Sequence, residues 1–510
     1  MSTVEEFCAA VDNSTITGEV AACSAYAATS GQEATIVGII DGLNVFFLLF
    51  AGAAVFLMQS GFAMLCAGSV RQKNVKNIML KNLLDACGGA IGFYTVGYAF
   101  AYGTNDSGGK SFIGTSNFFI RNFSTGSEFI GFFFQFAFAA TAATIVAGTV
   151  AERCKMAAYL CYSVFLTGFV YPVVVHSIWS GDGFLTAFRD DPFRDVGNVD
   201  FAGSGVVHMT GGATALVAAI VLGPRKGRFY DEDGNPLETP TEFPAHSVAL
   251  QILGTFVLWF GWYGFNPGSA LVIDNEASAA TAALCAVTTT LSAACGCVTA
   301  MFFDSIIDAR ATGEVSYDLT MAMNGALGGL VGITAGCSVV RPWAACIIGV
   351  ISGLVYYGFS KFLIKMKIDD AVDAIPVHFA NGAWGVLAVG FFADPQLMAV
   401  AGYAADKGGL FYGVGGDVII CQIIAILWIC GWVFAIMTPF FLLLNALGMF
   451  RVDALEEEVG LDISHHRGSA YDLAAPKKED VEELMEVRAS RHGKVEVPKE
   501  VAQAAAETEA

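Results

Sequence analysis

The feature that most constrains this chain is a succession of long apolar runs separated by short polar loops. Hydropathy predicts helical spans at residues 43–68, 77–103, 128–151, 157–180, 201–222, 246–267, 277–303, 318–337, 342–362, 377–394 and 417–449, eleven in all. About 20 apolar residues cross a bilayer core as a helix, because a helix bonds every backbone group without help from water. Composition agrees: 55% of the 510 residues are hydrophobic, 15% are charged, and 57 glycines permit close helix approach. The expected fold is therefore an all-α polytopic membrane protein embedded in a lipid bilayer. Its formal charge of −20 gives no basis for a nucleic-acid partner.

Loop charge orients the spans. Lys and Arg concentrate in alternate loops, at Arg71, Lys73, Lys76, Arg153, Lys155, Arg225, Lys226, Arg228, Arg310, Lys361, Lys365 and Lys367. The positive-inside rule then predicts an extracellular N-terminus and a cytoplasmic C-terminus. Three N-x-S/T sequons, at Asn13, Asn105 and Asn122, all fall in segments assigned outside and are candidate glycosylation sites. The expected organisation is an extracellular segment 1–40, a membrane domain 41–450 and a cytoplasmic tail 451–510. The first 20 tail residues, to about Tyr471, contain Gly and aromatic positions suited to docking, and the composition after about 476 suggests disorder. The start lacks the basic region of a cleavable signal peptide, so the first span is expected to act as an uncleaved insertion signal.

An ionisable residue inside a span is costly and marks a candidate site. The run DFAGSGVVH, Asp200 to His208, opens the fifth span. His208 begins H-M-T-G-G-A, and 170 residues later His378 begins H-F-A-N-G-A at the start of the tenth. Each His is followed at +4 and +5 by Gly and Ala. Such paired elements point to an internal repeat with a shared path at its interface. Five spans plus five plus one fits this echo, and an odd repeat inserts its halves with opposite orientation. Alone, Asp200 reads equally well as a helix cap and each His as a buried, bonded side chain.

The thirteen cysteines show no CxxC spacing; Cys295 and Cys297 are two apart and face different sides of a helix. Cys8 and Cys23, in the leading segment, are positioned for a disulfide if that segment is extracellular. No metal-ligand cluster, cofactor fingerprint or nucleophile constellation is present, so neither an enzyme nor a cofactor is expected.

Several collinear runs carry a resemblance: GFAMLCAGSVRQKNV (61–75), DFAGSGVVHMTGG (200–212), LGPRKGRF (222–229), LGTFVLWFGWYGFNPGSA (253–270) and GLDISHHRGSAYD (460–472). Across about residues 40–471 the chain resembles the ammonium transporter (Amt/Mep/Rh) superfamily, in its plant- and alga-type branch. The resemblance implies a homotrimer in the plasma membrane, each subunit with its own pore through eleven helices. It also implies an external ammonium site of Trp179, Phe134 and Ser269 with Asp200 beside it. Phe138 and Phe265 match the stacked pair that closes the pore below, and His208 and His378 match the paired pore histidines. Ser464 matches a regulatory tail threonine, a candidate for a kinase.

The chemistry is consistent with these roles. A weakly solvated cation over an aromatic face gains about 2 kcal/mol when desolvated, and a Ser hydroxyl accepts an N–H bond. Charge in hydrocarbon is costly enough to stop intact NH4+, whereas NH3 passes. Deprotonation outside, NH3 diffusion past the histidines and relay of the proton by the pair make net uptake electrogenic. A neutral Rh-like NH3 or CO2 channel and an ammonium sensor with little flux are the alternatives. Two departures stand out: Phe379 follows His378 where relatives often have Gly, and Leu65 stands where bacterial relatives carry a pore-side Phe. The loop before Asp200 is acidic (Asp182, Asp190, Asp191, Asp195).

Overall fold

Helical segments lie over every one of the predicted spans. The computed structural model describes residues 17–104 and 109–471, with side chains from residue 35 on. In chain order the long helices are α1 (Thr17–Ser69), α2 (Val75–Gly92, continued through a wide π turn into Tyr98–Tyr102), α3 (Gly126–Thr149) and α4 (Met156–Trp179). They continue as α5 (Ser204–Leu222), α6 (Val248–Gly268), α7 (Glu276–Thr312), α8 (Leu319–Thr334), α9 (Pro342–Lys365), α10 (Ile375–Phe392) and α11 (Asp417–Ala446). Two short tail helices follow, α12 (Ala454–Val459) and α13 (Leu461–His466). Among the described residues, extended pairing is limited to isolated bridges.

Nine of these helices are long and apolar enough to cross a membrane. The other two have physical reasons for their weaker signal. Helix α2 carries Lys81 and Asp85, both fully buried: Lys81 donates to the Cys154 carbonyl at 2.8 Å, and Asp85 accepts from the Tyr159 hydroxyl. Ionisable groups in a span face the bundle and find partners, which lowers mean hydropathy without exposing charge to lipid. Helix α8 has only 16 residues. Its glycines let it meet α7 backbone to backbone; a Cβ on Gly296 would stand 3.1 Å from the Gly329 Cα.

Caps explain several helix starts. Thr125 and Glu128 form a reciprocal capping box on α3. Asn275 accepts from Ser278 N at 3.0 Å on α7, and Asp318 from Met321 N at 2.7 Å on α8. Helix α1 begins well before the predicted start at 43, so a helix already covers residues that the sequence assigned to a separate N-terminal segment. Asn122 is exposed in the loop before α3; Asn13, Asn105 and Cys8 lie outside the described residues.

One end of the bundle is tied by a buried ionic hub. Arg225 donates to Glu152 at 2.9 Å and bidentately to Asp369 at 2.8 and 2.9 Å. Arg71 also reaches Glu152, and Arg153 donates to the Asp369 carbonyl at 2.7 Å. Four loops thereby converge. Burial alone would raise both carboxyls, but the guanidiniums outweigh it and hold Glu152 and Asp369 below the usual carboxylate range.

The tail packs on the same end. The Asp462 carboxylate accepts from Lys76 N and Asn77 N, both at 2.9 Å, and so caps α2 from outside its own helix. Asn74 accepts from Leu461 N at 2.9 Å, Asn77 pairs with His466 at 2.8 Å, and Lys226 reaches Glu458 at 2.6 Å. Ser464 is buried in this contact, and its Oγ has no hydrogen-bond partner among the described residues.

Candidate functional site

At the end of the bundle opposite the tail, four segments bring the expected site residues together. Trp179 closes α4, and its indole N–H donates to the Asp200 carbonyl at 2.7 Å. Phe134 and Phe138 lie one turn apart on α3, as Phe265 and Ser269 do at the end of α6. The Phe138 ring centroid is 4.8 Å from Phe134, 6.1 Å from Trp179 edge-on, and 4.0 Å from Phe265 in a stack. Ser269 donates its hydroxyl proton to the Phe265 carbonyl at 2.9 Å, leaving its lone pairs to accept from a ligand.

Asp200 is 2% exposed. Its carboxylate accepts from Gly203 N at 3.1 Å and from Gly205 N and Val206 N at 2.9 Å. Its oxygens are therefore spent on the start of α5, and its carbonyl holds the Trp179 ring. Gly203 sits between them at φ +104°, a conformation that favours glycine, and a Cβ there would press to 3.0 Å from the indole. Gln422 braces the same loop, accepting from Asn198 at 2.6 Å and Val199 N at 3.0 Å.

Beneath the stacked phenylalanines lie the histidines. The Nδ1 atoms of His208 and His378 are 3.2 Å apart, with rings stacked at a centroid distance of 5.2 Å. One must donate and the other accept. His208 Nε2 is buried and has no partner among the described residues. Each His lies in a π-helical turn, Ser204–Met209 and Ile375–Ala380, a distortion frequent at functional sites. The +4 glycines of the echo have a direct structural purpose. A Cβ on Gly212 would stand 2.7 Å from the Phe379 Cα, and one on Gly382 would stand 2.9 Å from Met209 N. Each glycine thus admits the backbone just after the other helix's histidine. The contact is reciprocal, and it sets the distance between the rings.

The Phe379 ring packs toward α9 and α11, 6.2 Å from both Phe359 and Phe434. Leu65 and Phe62 instead line a small cavity beside His378.

Two participants escaped the sequence reading. Trp262 is fully buried, stacks on His208 at 4.9 Å and 14°, and is fixed by a 2.9 Å bond to Thr334. No periodicity separated it from the other aromatics of its run. Asp370 repeats the role of Asp200: it precedes His378 by the eight residues that separate Asp200 from His208, and Oδ2 accepts from Ile375 N at 2.7 Å, five positions on. The D-x7-H interval was the available signal.

The chain matches the Ammonium Transporter Family over residues 45–471. It belongs to that family. It is 42% identical over 459 residues to "Ammonium transporter 1 member 3" of Solanum lycopersicum, a match covering 87% of this chain and 96% of the relative. With "Ammonium transporter 1 member 2" of Arabidopsis thaliana it shares 44% over 422 residues, 80% of this chain and 79% of that one. This places the family member in the plant-type branch. Among solved structures it resembles a "Sensor Amt Protein", with TM-score 0.72 and 32% identity over 84% of this chain and 99% of the other. Saccharomyces cerevisiae Mep2 is similar at TM-score 0.70 and 26% identity, over 81% and 88%. The family and the apolar helices together support ammonium transport by a multi-pass membrane protein.

Proposed function

We propose that the chain takes up ammonium by binding NH4+ outside, stripping its proton and conducting NH3 between His208 and His378, with the proton relayed by the pair. The observation that carries this reading is the 3.2 Å Nδ1–Nδ1 contact, with the stacked Phe138–Phe265 pair packed against it. Trp179 and Phe134 offer ring faces to the cation and Ser269 a lone pair. Asp200 acts through the helix start and the indole it positions, adding negative charge without touching the ligand. The charge of NH4+ stops at the phenyl stack, because desolvating it there costs far more than the rings return. NH3 then has the free Nε2 of His208 as a partner. Eleven spans arranged as an inverted repeat, the N-terminus outside, a homotrimer in the plasma membrane, glycosylation at the sequons and kinase control through Ser464 complete the proposal.

The likeness to a protein described as a sensor supports a second reading, ammonium sensing with little flux. Voltage-clamped oocytes separate the readings. A saturable inward current with ammonium, lost in His208→Asp while neutral methylamine still enters, supports the relay. Flux without current means neutral conduction. Neither flux nor current, with the protein confirmed at the surface, favours sensing.

A further inference from the structure

On the tail side of His378 the bundle holds a second, partly open cavity, of about 270 Å³. It adjoins the small space beside His378 and shares Leu65, Asn324 and Val372 with it. Asp370, Asp373 and Gln251 line it. The basic groups at its border are directed to other carboxylates: Arg225 to Glu152 and Asp369, Arg228 to Asp369 at 3.8 Å, and Lys361 to Asp304 at 3.7 Å. Asp370 and Asp373 have no ion pair within 4.0 Å among the described residues, although Lys361 and Arg228 act on the Asp373 charge from farther off.

Gln251 is 3% exposed, and it is half satisfied. Its amide donates to Ser69 Oγ at 2.9 Å, while Oε1 has no partner among the described residues. A buried acceptor left unpaired costs about 1–3 kcal/mol, so its retention in a cavity wall points to a donor that enters from the cavity. Asp373 sits at φ +57°, a strained backbone for a residue with a side chain, and Tyr356 and Ser360 donate to its Oδ2 at 2.9 and 2.8 Å. Strain held in place by two hydroxyls fixes the direction of the carboxylate.

We propose that this cavity is a second binding site for a small monovalent cation, held by the Asp373 carboxylate and the Gln251 carbonyl oxygen, with Asp370, whose oxygens accept from Val372 N and Ile375 N, adding negative charge in the wall. On the transport reading above, its occupant is ammonium on the exit side of the histidine pair. Several lone pairs are already taken by hydroxyls and backbone N–H groups. The remainder suit a few N–H donors rather than the six or more oxygens that a divalent ion such as Ca2+ gathers.

Thallium(I) is the probe. Crystals of the full-length protein soaked in a thallium salt should show an anomalous peak in this cavity that ammonium displaces. Asp373→Asn keeps an acceptor for Tyr356 and Ser360 but removes the charge, and should weaken thallium binding by about tenfold or more, the loss expected for one charge-assisted bond. Gln251→Glu should strengthen it. Ammonium flux in liposomes, measured on the same preparation, keeps the two readings apart. Flux without a thallium peak, or a peak unchanged in Asp373→Asn, overturns the site and leaves transport standing. A peak that ammonium does not displace overturns ammonium as its occupant. A displaced peak without flux overturns the transport reading and supports the site.

Discussion

Replacing Gly212 by Ala tests whether the crossing of α5 and α10 sets the function. The added Cβ would lie 2.3 Å from the Phe379 N and 2.7 Å from its Cα, where ordinary contact begins at 3.4 Å. The atoms it meets belong to backbone, so the helices themselves must part, by roughly 1.1 Å. Added to the 3.2 Å between the histidine Nδ1 atoms, this takes them to about 4.3 Å, beyond hydrogen-bond range. Overpacking costs about 1–3 kcal/mol, and the better helix propensity of Ala returns up to about 1 kcal/mol. The net loss of stability is then small, on the order of 1 kcal/mol. A displacement near 1 Å at a reacting pair costs far more, about 100-fold in rate. Gly358→Ala is the control, since nothing lies within 4 Å of its Cβ. Ammonium currents should fall on the order of 100-fold in Gly212→Ala at matched surface expression, and stay unchanged in Gly358→Ala. A Gly212→Ala current within about twofold of wild type, well under the 1.4 kcal/mol of a tenfold effect, would refute the argument that this crossing governs the pair.

Three further outcomes are expected. Ser464→Asp buries a charge with no partner, at a cost of about 3–5 kcal/mol; it should release the tail to protease and silence the current, while Ser464→Ala, which removes an unbonded hydroxyl, should leave both intact. Arg225→Met removes the guanidinium that bridges Glu152 and Asp369, leaving Arg71 on the first and Arg153 and Arg228 on the second, and should lower stability by up to about 3–5 kcal/mol near neutral pH, read as a fall in Tm. Because both carboxyls titrate below their ordinary range in the fold, the stability they confer is present above about pH 4.5 and lost as pH falls through their lowered values, so the gap between wild type and Arg225→Met should narrow in acid. His466 is shifted below its ordinary 6.5 by burial and by the charges of His465, Lys81 and Lys76. The docked tail thus prefers the neutral ring, its contribution is full above pH 6.5 and lost below, and tail proteolysis should rise between pH 7.5 and 5.5 in wild type but not in His466→Asn. A flat wild-type profile would count against His466 as a contact that matters.

Much of the fold was legible because lipid leaves the backbone few choices. Apolar runs of sufficient length must become helices, and the structure has a helix over each predicted span. The weakest signals were α2 and α8, where partnered buried charge or glycine-rich shortness substitutes for simple hydrophobicity. Helix α1 starts at Thr17, ahead of the apolar span expected from 43, because local hydropathy does not report how far a helix continues beyond its apolar stretch. The His echo was readable as a repeat, and its glycines at +4 were visible before their reason was.

What the sequence determined by itself was the class of fold, the two histidines, the acidic start at Asp200 and a tail able to dock. These are local patterns in composition and spacing, which need no knowledge of neighbours. Only the tertiary structure decided that Asp200 spends its carboxylate on backbone, that Trp262 underlies His208, that Phe379 packs against Phe359 and Phe434, and that Asp462 caps a helix nearly 390 residues earlier in the chain. Each of these depends on which surfaces meet when helices far apart in sequence pack at contact distance, and spacing along one chain does not encode that distance.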